Sequence, residues 1–332
     1  MTYDRDDIDL HVELAPQHKR GLRLNNPVMV ASGTFGYGTE YAKLIDIQRL
    51  GAIVSKGVTL RPRRGNAQHR TVETPAGMLN SIGLQNIGVR AVVREKAPIW
   101  AQWTVPVIVN VAGETVEQYA AVAERLDGVP GVAGLEINIS CPNVSAGGME
   151  FGRDPSSAAS VTRAVKDYTD LPVIVKLTPN VGNVVEIAEA VVEAGADALT
   201  LINTLLGLSI DICRRRPSLA TATGGLSGPA IKPVALRMVY QVARAVRVPL
   251  IGCGGIATSG DALEFIMAGA TAVQVGTATF SRPQVALEIV SGLRSFLREQ
   301  RAVSIGEIVG AALPGAPLRR GAGGSPEQTS TR

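Results

Sequence analysis

Cysteine, histidine and aromatic residues are all scarce in this chain of 332 residues. The three cysteines, Cys141, Cys213 and Cys253, are widely spaced and odd in number. A disulfide framework is therefore not expected, and no CxxC pair exists to hold zinc or an iron–sulfur cluster. His11, His18 and His69 form no metal set, and two of them stand in the N-terminal segment. Zinc-dependent hydrolysis is not expected. No run approaches the ~20 consecutive apolar residues of a transmembrane helix. The opening MTYDRDDIDLHVEL is acidic and polar, unlike a secretory leader, so the expected location is the cytoplasm, with no membrane partner. A formal charge of +4 is small for this length. No nucleic-acid-binding motif accompanies it. The basic runs Arg61-Pro-Arg-Arg64 and Arg214-Arg-Arg216 read as solvated loop faces rather than a phosphate or acidic-partner site.

What is present is a large core. Apolar residues make up 45% and charged residues 19%, as in a soluble globular enzyme. Glycine reaches 36 residues against 4% aromatics, which predicts tight turns and close backbone approaches. Eight apolar runs recur: Pro27–Ser32, Ala52–Lys56, Pro106–Val111, Gly134–Ser140, Pro172–Leu177, Ala198–Asn203, Pro249–Cys253 and Ala272–Val275. Nearly continuous apolarity marks strands buried on both faces of a parallel sheet. Helical periodicity fills Thr115–Leu126, Pro155–Tyr168, Val184–Ala194, Lys232–Val246, Ser259–Ala268 and Pro283–Arg298. Asn183, Thr258 and Ser281 are the expected helix starts, Gly195 and Gly269 the expected stops.

Eight βα repeats predict an α/β fold, a (β/α)8 TIM barrel over residues 1–313. A doubly wound open sheet is the alternative. It is disfavoured because polar residues gather at the C-terminal ends of most strands, not at one switch point. Residues 10–25 read as an N-terminal hairpin closing the barrel floor. Residues 58–85 and 205–230 read as long loops covering the C-terminal face. The tail from Pro314 to Arg332 is rich in Gly, Pro, Ser and charge and is expected to be disordered.

Four signals fall at the strand ends. In Glu136-Ile-Asn-Ile-Ser-Cys-Pro-Asn-Val144, an apolar run stops at Cys141 between Asn138 and Asn143. Such a thiol is a buried hydrophobe, a nucleophile or a base, and Cys253 reads as the hydrophobe. Gly252-Cys-Gly-Gly-Ile256 and Gln274-Val-Gly-Thr-Ala278 close the last two strands, where barrels bind phosphate. Lys56 and Lys176 end or interrupt apolar strands. Burying an ammonium is costly without an anion. That anion is Glu136 or another buried carboxylate, or else an electron-rich ring or a substrate carboxylate; a Schiff-base aldolase lysine is also conceivable. Asn80, Asn110, Asn138, Asn143 and Asn203 are amides with both donor and acceptor, suited to a ring of alternating N–H and C=O groups such as a pyrimidine.

Taken together, the motifs resemble the dihydroorotate dehydrogenase family over roughly Leu10 to Gly310. They are Asn26-Pro-Val-Met-Val-Ala-Ser-Gly-Thr-Phe-Gly-Tyr-Gly38, Ala76-Gly-Met-Leu-Asn-Ser-Ile-Gly-Leu-Gln-Asn86, Asn138-Ile-Ser-Cys-Pro-Asn143, Lys176-Leu-Thr-Pro179, Ile202-Asn-Thr204 and Gly224-Gly-Leu-Ser-Gly-Pro-Ala-Ile-Lys-Pro233. The resemblance implies an FMN enzyme that oxidises dihydroorotate to orotate in pyrimidine biosynthesis. It implies Cys141 as the base that takes a ring proton while a hydride leaves the adjacent carbon for flavin N5. Asn80, Ser81, Ile82, Gly83, Leu84, Asn138, Asn143, Asn203 and Thr204 would hold the substrate. Lys56 would lie between flavin and substrate, and Lys176 near the flavin's pyrimidine end. Ser32, Gly57, Asn110, Asn138, Ile202 and Gly228 would line the flavin, and Gly254, Gly255, Gly276 and Thr277 would grip its phosphate.

Cysteine as base resembles the soluble class 1 branch. The Gly-Thr-Phe-Gly-Tyr-Gly and Gly-Gly-Leu-Ser-Gly-Pro segments resemble its NAD-linked 1B subtype. That subtype implies a partner subunit carrying FAD and a [2Fe–2S] cluster, and a homodimer of barrels inside a heterotetramer. The other readings are the fumarate-linked 1A subtype, a dihydropyrimidine dehydrogenase-like flavin enzyme, a flavin-free lysine lyase and a non-catalytic docking barrel. Gly57 and Cys253 depart from the family pattern, and the second loop lacks the usual proline run around Asn66-Ala-Gln-His-Arg70.

Overall fold

A computed structural model describes residues 8–140, 142–143 and 149–316. Cys141 lies outside them, as does the expected tail beyond residue 316. Eight strands form a closed barrel: β1 (Val28–Val30), β2 (Ala52–Val54), β3 (Val107–Val111), β4 (Gly134–Asn138), β5 (Val173–Leu177), β6 (Ala198–Leu201), β7 (Leu250–Cys253) and β8 (Ala272–Val275). Each lies within one of the eight apolar runs. Neighbours pair in parallel, and β8 closes on β1 with Val273 opposite Val28. Apart from Asn138, every residue of these strands is buried. Helices cover one face and the barrel interior the other, so the apolar pattern is continuous rather than alternating.

The helix starts follow from side-chain caps. The Thr115 side chain accepts from Gln118 N–H ahead of Val116–Leu126, and Asn183 accepts from Val185 N–H ahead of Val184–Glu193. Thr258 and Asp261 form a reciprocal capping box on Ser259–Met267. Gly195 and Gly269 follow their helices with φ of 99° and 113°, as the stops require. Ser281 is a correction. It ends a short helix, Ala278–Ser281, and the long helix Val285–Glu299 begins after Gln284. A helical stretch between β2 and β3 was not expected. It runs from Val89 to Trp100 with a π-turn at Val92–Lys96. Charged residues and Pro98 break its apolar spacing, and Val89, Val92, Ala97 and Trp100 carry its packing.

The N-terminal hairpin pairs Val12–Glu13 with Arg23–Leu24. Leu22 packs at the start of β4, on the barrel floor. The long loops at the mouth are more ordered than expected. They join in one antiparallel sheet, in the order Leu205–Leu208, Thr223–Ser227, Gly77–Asn80 and Thr71–Thr74. Glycine permits this pairing: a Cβ on Gly77 would lie 1.9 Å from the Ser227 carbonyl. No helix among the described residues is long and apolar enough to cross a membrane.

Candidate active site

The barrel mouth and its covering sheet enclose a cavity of about 720 Å³. Ser32, Lys56, Gly57, Asn110, Asn138, Lys176, Ile202, Asn203 and Thr204 line it from the strand ends. Asn80, Ser81, Ile82, Gly83 and Leu84 line it from the second loop, and Gly228 from the sixth. Gly254, Gly255, Gly276 and Thr277 line its far end. The structure thus brings together all the expected site residues whose side chains are described. Cys141 lies outside the described residues. Asn143 has its backbone paired with Met149 across a short antiparallel ladder, but its side chain also lies outside the description.

The amides are tied to one another. Asn203 Nδ2 donates to Asn138 Oδ1 at 3.1 Å and to Ser140 Oγ at 2.9 Å. Asn203 Oδ1 accepts from Thr204 N–H at 2.8 Å. Tyr119 Oη donates to the Asn138 carbonyl at 2.6 Å, fixing the end of β4. Thr204 packs so closely on the covering sheet that a Cβ on Gly225 would meet its Oγ1 at 2.1 Å. The covering sheet therefore helps set the position of a wall residue.

At the far end, Gly254 and Gly255 adopt φ of 129° and 76°, a region in which L side chains are strained. The N–H groups of Gly254, Gly255, Gly276 and Thr277 have no acceptor among the described residues. Thr277 Oγ1 donates to Ser227 Oγ at 2.8 Å, joining this end to the covering sheet. Arg282 also lines the cavity here, braced by Glu288 and the Ala257 carbonyl.

The two lysines differ. Lys56 is partly buried, and its ammonium has no hydrogen-bond or ion-pair partner among the described residues. Burial pushes its ammonium below the usual lysine range, and Arg70 adds to this against a weaker pull from Glu40. Lys176 is buried. Its Nζ lies 3.8 Å from Glu136 Oε1 and donates to Gln274 Oε1 at 3.2 Å. Burial pulls its ammonium down, but Cys253 and Glu136 outweigh burial and raise it above the ordinary value. The ion pair with Glu136 that the sequence left open is therefore present, on a lysine that also faces the cavity. Cys253 is not simply a small hydrophobe. Its Sγ lies 3.8 Å from Lys176 Nζ and it lines the cavity.

Sequence reasoning missed Arg70, Ser227 and Arg282 as wall residues, and Thr200 and Gln274 as partners of Glu136. Parity along the strands could have found the last two, because both face inward in strands that are otherwise apolar. Of the basic runs, Arg214, Arg215 and Arg216 are exposed, while Arg63 pairs with Glu114 at 2.8 Å.

Comparison with known proteins agrees with this site. A family model described as dihydroorotate dehydrogenase matches residues 15–297. The chain is 58% identical over 305 residues to the dihydroorotate dehydrogenase B (NAD(+)), catalytic subunit, of Geotalea uraniireducens, covering 92% of this chain and 98% of that one. The proteins of the same description from Pelobacter propionicus and Geobacter sulfurreducens are 57% and 56% identical over 303 residues. In both cases the match covers 91% of this chain and 98% of the relative. The chain belongs to the dihydroorotate dehydrogenase family.

Proposed function

We propose that this chain oxidises dihydroorotate to orotate in de novo pyrimidine biosynthesis, using FMN held in the barrel-mouth cavity. One observation carries the reading: two lysines, linked amides and two glycine turns line a single cavity. The residues present fit the cofactor. Asn110 Oδ1 is buried without a partner, although Asn110 faces the cavity. The glycine N–H groups after β7 and β8 likewise lack acceptors and suit a phosphate.

Gly254, Gly255, Gly276 and Thr277 would hold the phosphate, with Arg282 beside them. Ser32, Gly57, Asn110, Asn138, Ile202 and Gly228 would line the ring, and Lys176 would stand near its pyrimidine end. Bound there, FMN supplies a hydride acceptor. Asn80, Ser81, Ile82, Gly83, Leu84, Asn138, Asn143, Asn203 and Thr204 would hold the dihydropyrimidine. Lys56, whose ammonium has no ion-pair partner among the described residues, would face the substrate carboxylate and lie between substrate and flavin. Cys141 would remove a ring proton as thiolate while the adjacent carbon gives up hydride. Two C–H bonds break and one C=C bond forms. An ordinary thiol titrates at ~8.5, so a cation beside it would raise the thiolate fraction at neutral pH.

The relatives are named as catalytic subunits of an NAD(+) enzyme, which supports NAD as final acceptor. Electrons would reach it through a partner subunit with FAD and a [2Fe–2S] cluster, in a cytoplasmic heterotetramer built on a dimer of barrels. The test is single-turnover flavin reduction by dihydroorotate. Cys141→Ala should retain yellow flavin but slow its reduction by about 10²- to 10⁴-fold. Unimpaired reduction would remove Cys141 as the base. NAD against fumarate as oxidant of the complex separates the two class 1 subtypes.

A further inference from the structure

One polar layer crosses the barrel beneath the cavity. Its centre is Glu136 of β4, whose side chain is fully buried. Asn110 Nδ2 donates to Glu136 Oε1 at 2.8 Å. Thr200 Oγ1 and Gln274 Nε2 donate to Oε2 at 2.9 and 2.6 Å. These donors come from β3, β6 and β8, so the bonds span the barrel interior. None of them carries charge. The nearest cation is Lys176 of β5, 3.8 Å from Oε1. Gln274 bridges that gap, because its amide donates to Glu136 and accepts from Lys176. Lys176 lines the cavity and Glu136 does not. A fully buried carboxylate is costly unless it is paired and hydrogen-bonded. Here the pairing faces outward to a single ammonium at the cavity wall.

We propose that Glu136 is the positioning residue of this site, holding the Lys176 ammonium charged and in place against the electron-rich ring of bound flavin, a role that rests on the flavin reading above. Glu136 acts directly and through Gln274, while Asn110 and Thr200 keep the carboxylate from rotating. The described groups that face Lys176 are Glu136, Gln274, Cys253 and the two ladder neighbours of Lys176, Thr200 and Asn138. Of these, Glu136 and Cys253 titrate. Burial pushes the Cys253 thiol up, and the carboxylate paired with Lys176 is that of Glu136.

The test measures FMN affinity of the full chain after flavin removal, by fluorescence, from about pH 7 to about pH 9. Wild type should bind with little change across this window. Glu136→Gln should bind more weakly and lose about a further tenfold in affinity as pH rises and Lys176 deprotonates. Lys176→Met should bind weakly at every pH. The double variant should show no pH slope, which assigns the slope to Lys176. Should Glu136→Gln fail to fold, Gln274→Met, which keeps the carboxylate, should still weaken FMN binding. Wild-type affinity and a flat profile in Glu136→Gln, or in Gln274→Met where it must stand in, would overturn the proposal while Lys176→Met remains weak. Wild-type affinity in Lys176→Met would instead remove the flavin from this wall, and the role of Glu136 with it.

Discussion

Lys56 and Lys176 reach the same cavity from strands three places apart in one barrel, β2 and β5, yet their surroundings are opposite. Lys176 sits on a strand, in a layer that supplies a carboxylate and an amide to it. Lys56 stands just past the end of β2, where its backbone N–H donates to the Gly36 carbonyl and its side chain has no described partner. One cation is neutralised by the protein before any ligand arrives. The other has no ion-pair partner among the described residues, only a weaker pull from Glu40, and burial makes its charge costly. The first suits a permanent fixture of the site, and the second suits a ligand that brings its own anion.

Removing the unpaired ammonium tests this division most strongly. Lys56→Met should raise KM for dihydroorotate by about 10- to 100-fold, the worth of a hydrogen bond to a charged group, with a much smaller effect on FMN affinity. Steady-state kinetics with an artificial acceptor measures the split, and an unchanged KM would erase the contrast. Breaking the covering sheet should disturb both lysines alike. Gly77→Ala puts a Cβ 1.9 Å from the Ser227 carbonyl, and urea melts should show a loss of about 1–3 kcal/mol.

The lysines also predict opposite pH signatures in the flavin-free chain. Lys176 is raised in the fold, so its stabilisation is fully present below the ordinary value of 10.5 and is lost as pH rises through its folded value. Lys56 is lowered, so its burial penalty is fully present below its folded value and is relieved as pH rises from there toward 10.5. Urea midpoints of Lys56→Met and Lys176→Met against wild type, in steps up this alkaline range, should diverge in these directions. The smallest effect is a control. Thr258→Ala removes a helix cap that touches neither lysine and should cost about 1 kcal/mol, without altering KM for dihydroorotate.

The barrel was legible because its strands are buried on both faces, which leaves long unbroken apolar runs. The capped helices were legible because Thr115, Asn183 and Thr258 stand where side-chain oxygens meet free N–H groups. Ser281 misled because a hydroxyl residue before an apolar stretch also closes a short helix. The covering sheet was hidden because its strands are short, rich in glycine and paired across most of the sixth loop's distance from the second. The wall residues came from motifs, and the cavity gathers those whose side chains are described. The ties beneath them, from Glu136 to Thr200 and Gln274, join residues 64 and 138 positions apart. No local pattern records such a contact.

The most direct measurement is anaerobic titration of the yellow full-length chain with dihydroorotate and, separately, with dihydrouracil, which lacks the carboxylate. Dihydroorotate should bleach the flavin band in a fast single turnover, dihydrouracil should do so far more slowly, and Lys56→Met should erase most of that difference. Equal bleaching of the wild-type chain by both compounds, or none by dihydroorotate, would contradict the assignment of this cavity to a carboxylate-bearing dihydropyrimidine.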